Sequence, residues 1–260
     1  MKLRIYQADA FTEKLFGGNP AAVVPLTEWL PDEVLQNIAA ENNLAETAFL
    51  VKKGHGYHLR WFTPAVEVDL CGHATLATAY VLFHYENHPP GEIRFESKSG
   101  ILKVRHQGER LTLDFPAYSL SDTEATNDIL NAVGKAPTEV IQYNNDLLFI
   151  FHDQTSVEML KPDFRKLSAC SPRAVLVSAP GNDADFVYRF FCPKMGIDED
   201  PATGSAQCAL MPYWTKRLNK DTLVSLQCSS RKGAFKSRLN GDRVEISGKV
   251  MPYLVGEIQI

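Results

Sequence analysis

The chain has 260 residues, 45% apolar and 22% charged, with 31 acidic against 27 basic side chains and a net charge of −4. That length allows one large domain or two of roughly 130 residues, and the ordinary mix of residue types excludes a disordered or fibrous chain. A negative balance without any run of Lys or Arg argues against a nucleic-acid partner.

In chain order, Met1-Lys2-Leu3-Arg4-Ile5-Tyr6-Gln7-Ala8-Asp9 alternates in polarity and soon meets a charge, so it lacks a signal-peptide core. No apolar stretch approaches the roughly 20 residues that span a bilayer, so no membrane partner and a cytoplasmic protein are expected. Pro31-Asp32-Glu33 followed by Val34, Leu35, Ile38 and Ala39 predicts a helix with proline and acids at its start. Strands are predicted over 46–51 and 57–63, then a helix over 75–85, then three strands over 93–97, 101–106 and 110–115. A polar seam over 116–127 follows. The second half repeats the order: a strand over 185–191, a helix over 205–217, and strands over 223–228, 234–239 and 243–247. The last strand, over 253–260, has no counterpart closing the first half and is expected to return to it.

The two halves match in more than order. Asp69-Leu70-Cys71-Gly72-His73-Ala74-Thr75 and Asp198-Glu199-Asp200-Pro201-Ala202-Thr203-Gly204-Ser205-Ala206 are both small-residue turns opening an apolar segment, offset by 129 residues between Asp69 and Asp198. This predicts a duplicated α+β protein. One lobe covers 1–116, completed by a strand over 250–260, and the other covers 117–249. The five cysteines, Cys71, Cys170, Cys192, Cys208 and Cys228, form no CxxC pair, and the seven histidines show no metal spacing. Neither a disulfide framework, nor a metal site, nor a cofactor is expected.

A helix N-terminus carries unpaired N–H groups and the positive end of the helix dipole, and glycine in the preceding turn lets a ligand reach those amides. If the halves face each other, the amides near Gly72, His73, Gly204 and Ser205 line one anion-binding cleft. Glycine in such a turn equally serves tight helix packing. Cys71, just before a helix, is expected to have a lowered thiol pKa. His73 fits capping, exposure or catalysis; Asp200 fits a helix N-cap or a site residue. Glu46 opens an apolar strand, where desolvation is expected to raise its pKa toward acid/base range, or it is a solvated strand-end charge.

Phe16-Gly17-Gly18-Asn19-Pro20-Ala21-Ala22-Val23, Asn43-Leu44-Ala45-Glu46-Thr47-Ala48-Phe49, Trp61-Phe62-Thr63-Pro64, Cys71-Gly72-His73-Ala74-Thr75 and Asp200-Pro201-Ala202-Thr203-Gly204-Ser205-Ala206 resemble the signature segments of the PhzF-like isomerase family, in order and across most of the chain. The resemblance implies a diaminopimelate-epimerase-like fold: two pseudo-symmetric lobes, each a mostly antiparallel sheet wrapped around a central helix. It implies cofactor-independent proton transfer within a small carboxylate-bearing substrate, and a homodimer. Glu46 matches the family's proton-moving glutamate, His73, Asp200 and Ser205 match residues around the substrate, and Asn19 matches its asparagine near the N-terminus. Diaminopimelate epimerase uses two cysteines; this sequence keeps Cys71 alone, with Asp200 taken as its partner position. A one-thiol racemase using Cys71, and a non-catalytic anion sensor, are the rival readings.

Overall fold

Alternating polarity at the start becomes strand β1 (Lys2–Ala10), which pairs antiparallel with β2 (Asn19–Leu26). The computed structural model describes residues 1–260. Helix α1 (Asp32–Asn42) follows Pro31 with Asp32 and Glu33 in its first turn, and ends at Asn43 in the left-handed conformation. It carries the chain to β3 (Glu46–Lys53), parallel to β2, because parallel neighbours need a crossover. Strand β4 (Gly56–Phe62) returns antiparallel and forms a short ladder with β5 (Glu67–Val68). Helix α2 (Gly72–His84) crosses to β6 (Glu92–Ser97), parallel to β4, and β7 (Gly100–Gln107) and β8 (Arg110–Pro116) complete an antiparallel meander.

The second unit begins with β9 (Ser121–Asp122) and helix α3 (Asn127–Val133). Strands β10 (Glu139–Tyr143) and β11 (Asp146–Ile150) form a hairpin, and short helices α4 (Gln154–Glu158) and α5 (Phe164–Ala169) cross to β12 (Val175–Pro180), parallel to β11. Strand β13 (Phe186–Phe191) returns antiparallel and meets β14 (Glu199–Asp200). Helix α6 (Gln207–Leu218) crosses to β15 (Thr222–Gln227), parallel to β13, followed by β16 (Gly233–Asn240) and β17 (Arg243–Gly248). The final strand β18 (Val250–Gln259) pairs along the whole of β1. The compact units are Met1–Asp114 with Ser247–Ile260, and Phe115–Ile246.

The duplication is visible strand by strand. The senses antiparallel, parallel, antiparallel, parallel, antiparallel run through β1-β2-β3-β4-β6-β7 and again through β10-β11-β12-β13-β15-β16. Strand β9, paired with β10, is the short counterpart of β18 on β1, which the sequence pattern does not predict. No helix is long and apolar enough to cross a membrane. In α2 nearly every side chain from His73 to Leu82 is buried, and Ala74, Ala77 and Ala79 keep the helix slim enough for a sheet to curve around it. Outside that sheet, Leu35 and Ile38 of α1 pack on Ala22, Val24, Phe49 and Phe62.

One half-buried ion pair is also duplicated. On β4, Arg60 donates from Nε and Nη2 to both oxygens of Glu67 at 2.8 and 2.9 Å, and its guanidinium lies 5.0 Å over the Phe62 ring. On β13, Arg189 grips Glu199 at 2.8 Å twice and lies 4.8 Å over Phe191. Each pair ties a long strand to the two-residue strand that leads into a candidate site turn. Bidentate geometry makes these far stronger than exposed single contacts.

Hydrogen bonding by Arg60, aided by Lys98 against the opposing effect of burial, lowers the Glu67 carboxyl from 4.5 to about 2. A depressed carboxyl contributes stability that is complete above its unfolded pKa and disappears as pH falls through its folded value. Wild type should therefore lose stability between about pH 4.5 and 2 more steeply than Glu67→Gln. Urea midpoints across that window check this; parallel curves would remove the clamp from the acid response.

Candidate active site

Glu46 is the first residue of β3, beside Ala21 of β2. Cys71 is the N-cap of α2, Gly72 its first residue and His73 its second. Asn19 opens β2 after Gly18, whose φ of +61° and approach to the Ala10 carbonyl leave no room for a side chain. The fold brings the four polar side chains together. His73 Nε2 lies 3.0 Å from Glu46 Oε2, and Nδ1 lies 3.1 Å from the Asn19 side-chain amide and 3.5 Å from Cys71 Sγ. Asn19 is fully buried, and the Glu46 side chain retains 18% exposure.

Electrostatics overturn two expectations. Burial works to raise the Glu46 carboxyl, but the His73 charge and hydrogen bonds from His73 and Cys71 outweigh it, so the pKa falls below 4.5. Cys71 does not gain from the helix start: burial first, and the Glu46 charge next, push its thiol up to about 11. Burial opposes the charged form of His73, yet the neighbouring acids raise it well above 6.5. The resting site is thus a Glu46 carboxylate, a His73 imidazolium and a neutral Cys71 thiol. Asn19 can serve either form of the ring, because its amide offers a donor at one end and an acceptor at the other.

Asp200, Gly204 and Ser205 belong to the second unit. Asp200 lies in β14 opposite Phe190 and accepts a bond from the Thr203 hydroxyl. It is not the N-cap of α6, which starts at Gln207 after a single 3-10 turn over Gly204–Ala206 containing Ser205. The register also corrects the pairing of halves. Phe62 opposes Glu67 and Phe191 opposes Glu199. Counting on from those glutamates, Gly72 matches Gly204, His73 matches Ser205, and the counterpart of Cys71 is Thr203 rather than Asp200. Four residues join β4 to β5 but seven join β13 to β14, which hides the match from a constant offset.

The sequence reading missed the frame around Thr203. Its amide donates to Gln227 Oε1 at 2.6 Å, its carbonyl accepts from the Tyr188 hydroxyl at 3.1 Å, and Gln227 Nε2 also reaches Thr203 Oγ1 at 3.3 Å. The available signal was Ser225 and Gln227 on the same face as buried Leu223, polar residues at core positions of β15. The glutamate has no counterpart: Thr47 opposes Phe62 and Val175 opposes Phe191, so Ala174 stands at the matching place.

The sequence profile of the phenazine biosynthesis-like proteins (PhzC-PhzF) matches residues 8–256. The chain belongs to that family. It is 47% identical over 260 residues, the full length of both chains, to an uncharacterized isomerase of Pseudomonas aeruginosa. The crystal structure of a PhzF family protein from Enterococcus faecalis superposes with a TM-score of 0.97 at 45% identity, covering all of both chains. A hydroxyproline epimerase from Agrobacterium vitis, with a TM-score of 0.61, 10% identity, and coverage of 99% of this chain and 92% of its own, shares the fold. The protein is therefore an isomerase of the PhzF type on an epimerase-like α+β fold.

Proposed function

We propose that the protein moves a proton within a small carboxylate-bearing metabolite without a cofactor, using Glu46 as the base. The observation that carries this is the Glu46–His73 pair, a carboxylate at the edge of solvent 3.0 Å from a buried imidazole, each favouring the charged form of the other. A base paired to a cation is weak until that cation is shared. An anionic substrate drawing on His73 loosens its hold on Glu46, which raises the carboxylate's proton affinity when the substrate C–H arrives. Glu46 then takes the proton from carbon and returns it at another carbon, while His73 remains protonated and steadies the developing enolate.

The amides of Gly72 and His73 at the start of α2 are assigned to holding the substrate's anionic group, and Asp200, Gly204 and Ser205 are carried as the second unit's candidate substrate-contacting residues. A homodimer in the cytoplasm completes the reading. Tyr253, Leu254 and Val255 stand exposed in a row on β18, a strip suited to self-association, and the five cysteines are free thiols.

Incubation in deuterated water with a panel of small cyclic and amino-acid-derived carboxylates tests the reading. A substrate should gain deuterium at carbon, and carboxylates that bind should raise the melting temperature by mass action. Binding without exchange across the panel would make the protein a sensor. Cys71→Ala should retain most of the exchange rate, since a thiol held at about 11 is neutral at physiological pH. Loss of several orders of magnitude would promote the one-thiol racemase instead.

A further inference from the structure

Asp200 ends the two-residue strand β14 and Gly204 opens the 3-10 turn, so the residues between them have left the ladder. Side chains take over there. The Asp200 carbonyl accepts from Gln227 Nε2, the Pro201 carbonyl from the Ser229 hydroxyl at 2.6 Å, and the Thr203 carbonyl from the Tyr188 hydroxyl at 3.1 Å. Gln227, which is completely buried, grips both ends of the turn, because its Oε1 also accepts from the Thr203 amide at 2.6 Å. These partners fix which way the glutamine amide faces, since a backbone N–H only donates and a backbone carbonyl only accepts. Nε2 also reaches Thr203 Oγ1 at 3.3 Å, and the Thr203 hydroxyl passes its own proton toward Asp200 Oδ2. A directed chain of hydrogen bonds thus runs from Gln227 through Thr203 to the Asp200 carboxylate.

We infer that Gln227 is a positioning residue: a buried strut that sets where Asp200, Gly204 and Ser205 stand, and so sets the affinity for substrate without touching it. A glutamine is required because one end of the side chain must accept while the other donates. The strut is special to the second unit. Tyr188 stands three residues before Phe191 as Leu59 stands three before Phe62, and Tyr188 pairs with Gln227. His58 pairs with Glu96, so the residue beside Leu59 is Ser97, whose hydroxyl donates to the Gly100 carbonyl in its own hairpin. The first unit therefore carries the base and the second carries the strut. The effect on affinity rests on the reading of Asp200, Gly204 and Ser205 as substrate-contacting residues; the strut itself rests on the hydrogen bonds alone.

Steady-state deuterium exchange of a substrate found in the carboxylate panel is measured across pH on wild type, Gln227→Met and Gln227→Glu. In Gln227→Met the KM should rise by about a hundredfold, the usual cost of an ångström of misplacement, while kcat stays within about threefold. Gln227→Glu tests rescue by a conservative change, and serves as the second variant should Gln227→Met fold poorly. Protonated, the introduced carboxyl has one acceptor and one donor and restores most of the strut; ionised, it faces the Asp200 carbonyl with no proton to give. Burial raises the pKa of that carboxyl. The KM of Gln227→Glu should therefore lie near wild type at the acid end and climb as the carboxyl ionises, a limb absent from wild type. A residue that only stabilises the fold would lower the urea midpoint and leave the KM of the folded variants at the wild-type value, which would overturn the inference. A loss confined to kcat would overturn it too. Without any substrate, amide NMR of Gln227→Glu reads the strut: the Thr203, Gly204 and Ser205 resonances should all move as the introduced carboxyl titrates. Movement of Thr203 alone would also overturn the inference. Movement of all three, with no exchange from any substrate by wild type, would leave the strut standing and reject the isomerase mechanism.

Discussion

Glu46→Gln is expected to cut solvent exchange and turnover by about a hundredfold to ten-thousandfold, the usual worth of a positioned acid/base group. Glutamine keeps the size of the side chain and one carbonyl oxygen, so β3 and its pairing with β2 should be untouched. What goes is the titrating oxygen 3.0 Å from His73 and the negative charge that keeps the ring protonated. The His73 pKa should therefore fall in the variant, because the Glu46 charge is among the effects that raise it. Ring-proton NMR reads that change without any substrate.

The same pair sets the pH profile. The carboxylate lies below 4.5 and the imidazolium well above 6.5, so the ionised pair persists between those values. Activity governed by this pair should form a plateau there, with an acid limb from Glu46 below it and an alkaline limb from His73 above it. Near-wild-type exchange by a folded Glu46→Gln protein would transfer the proton-moving role to Cys71 or Asp200.

Arg189→Met is expected to destabilise the protein by about 1–3 kcal/mol, the cost of leaving half-buried polar groups without their donor. The Arg189 and Glu199 side chains keep only 12% and 18% exposure. Arg189 also donates to the carbonyls of Val157 and Leu160 at 3.2 and 2.9 Å; the Val157 carbonyl keeps a backbone donor, so methionine takes the partner from the Leu160 carbonyl as well as from the carboxylate. Arg189→Lys should recover only part of the loss, since an ammonium cannot make the two-pronged contact to Glu199 and still reach both carbonyls. Replacing Glu199 by leucine in the methionine background should regain stability, because a packed apolar pair removes the stranded carboxylate. Denaturant unfolding of these variants gives the comparison. A loss below about 1 kcal/mol would reduce the pair to the rank of an exposed salt bridge.

The sequence by itself determined the family, the alternation of strands and helices over 31–115 and 185–260, and the duplication. Those features are written locally: period-two apolar runs make strands, small-residue turns open helices, and short motifs survive in order. Its element boundaries needed small changes, as at α6, where a 3-10 turn delays the helix to Gln207. It also supplied Asn19, Glu46, Cys71 and His73 as candidates, and these meet in one cluster. Their ionisation was decided only by the tertiary structure. A pKa depends on which charges lie within a few ångströms, and the distance between Glu46 and His73 is set by β3 and α2 packing side by side, not by the residues separating them in the chain. For the same reason Cys71 became a neutral buried thiol rather than an activated one, and Thr203 rather than Asp200 became its counterpart. That match depends on strand register, which three extra residues between β13 and β14 conceal in the sequence. The Arg60 and Arg189 clamps were invisible for a related reason. A charged residue on an apolar strand has no readable partner until the short strand carrying its glutamate folds back beside it.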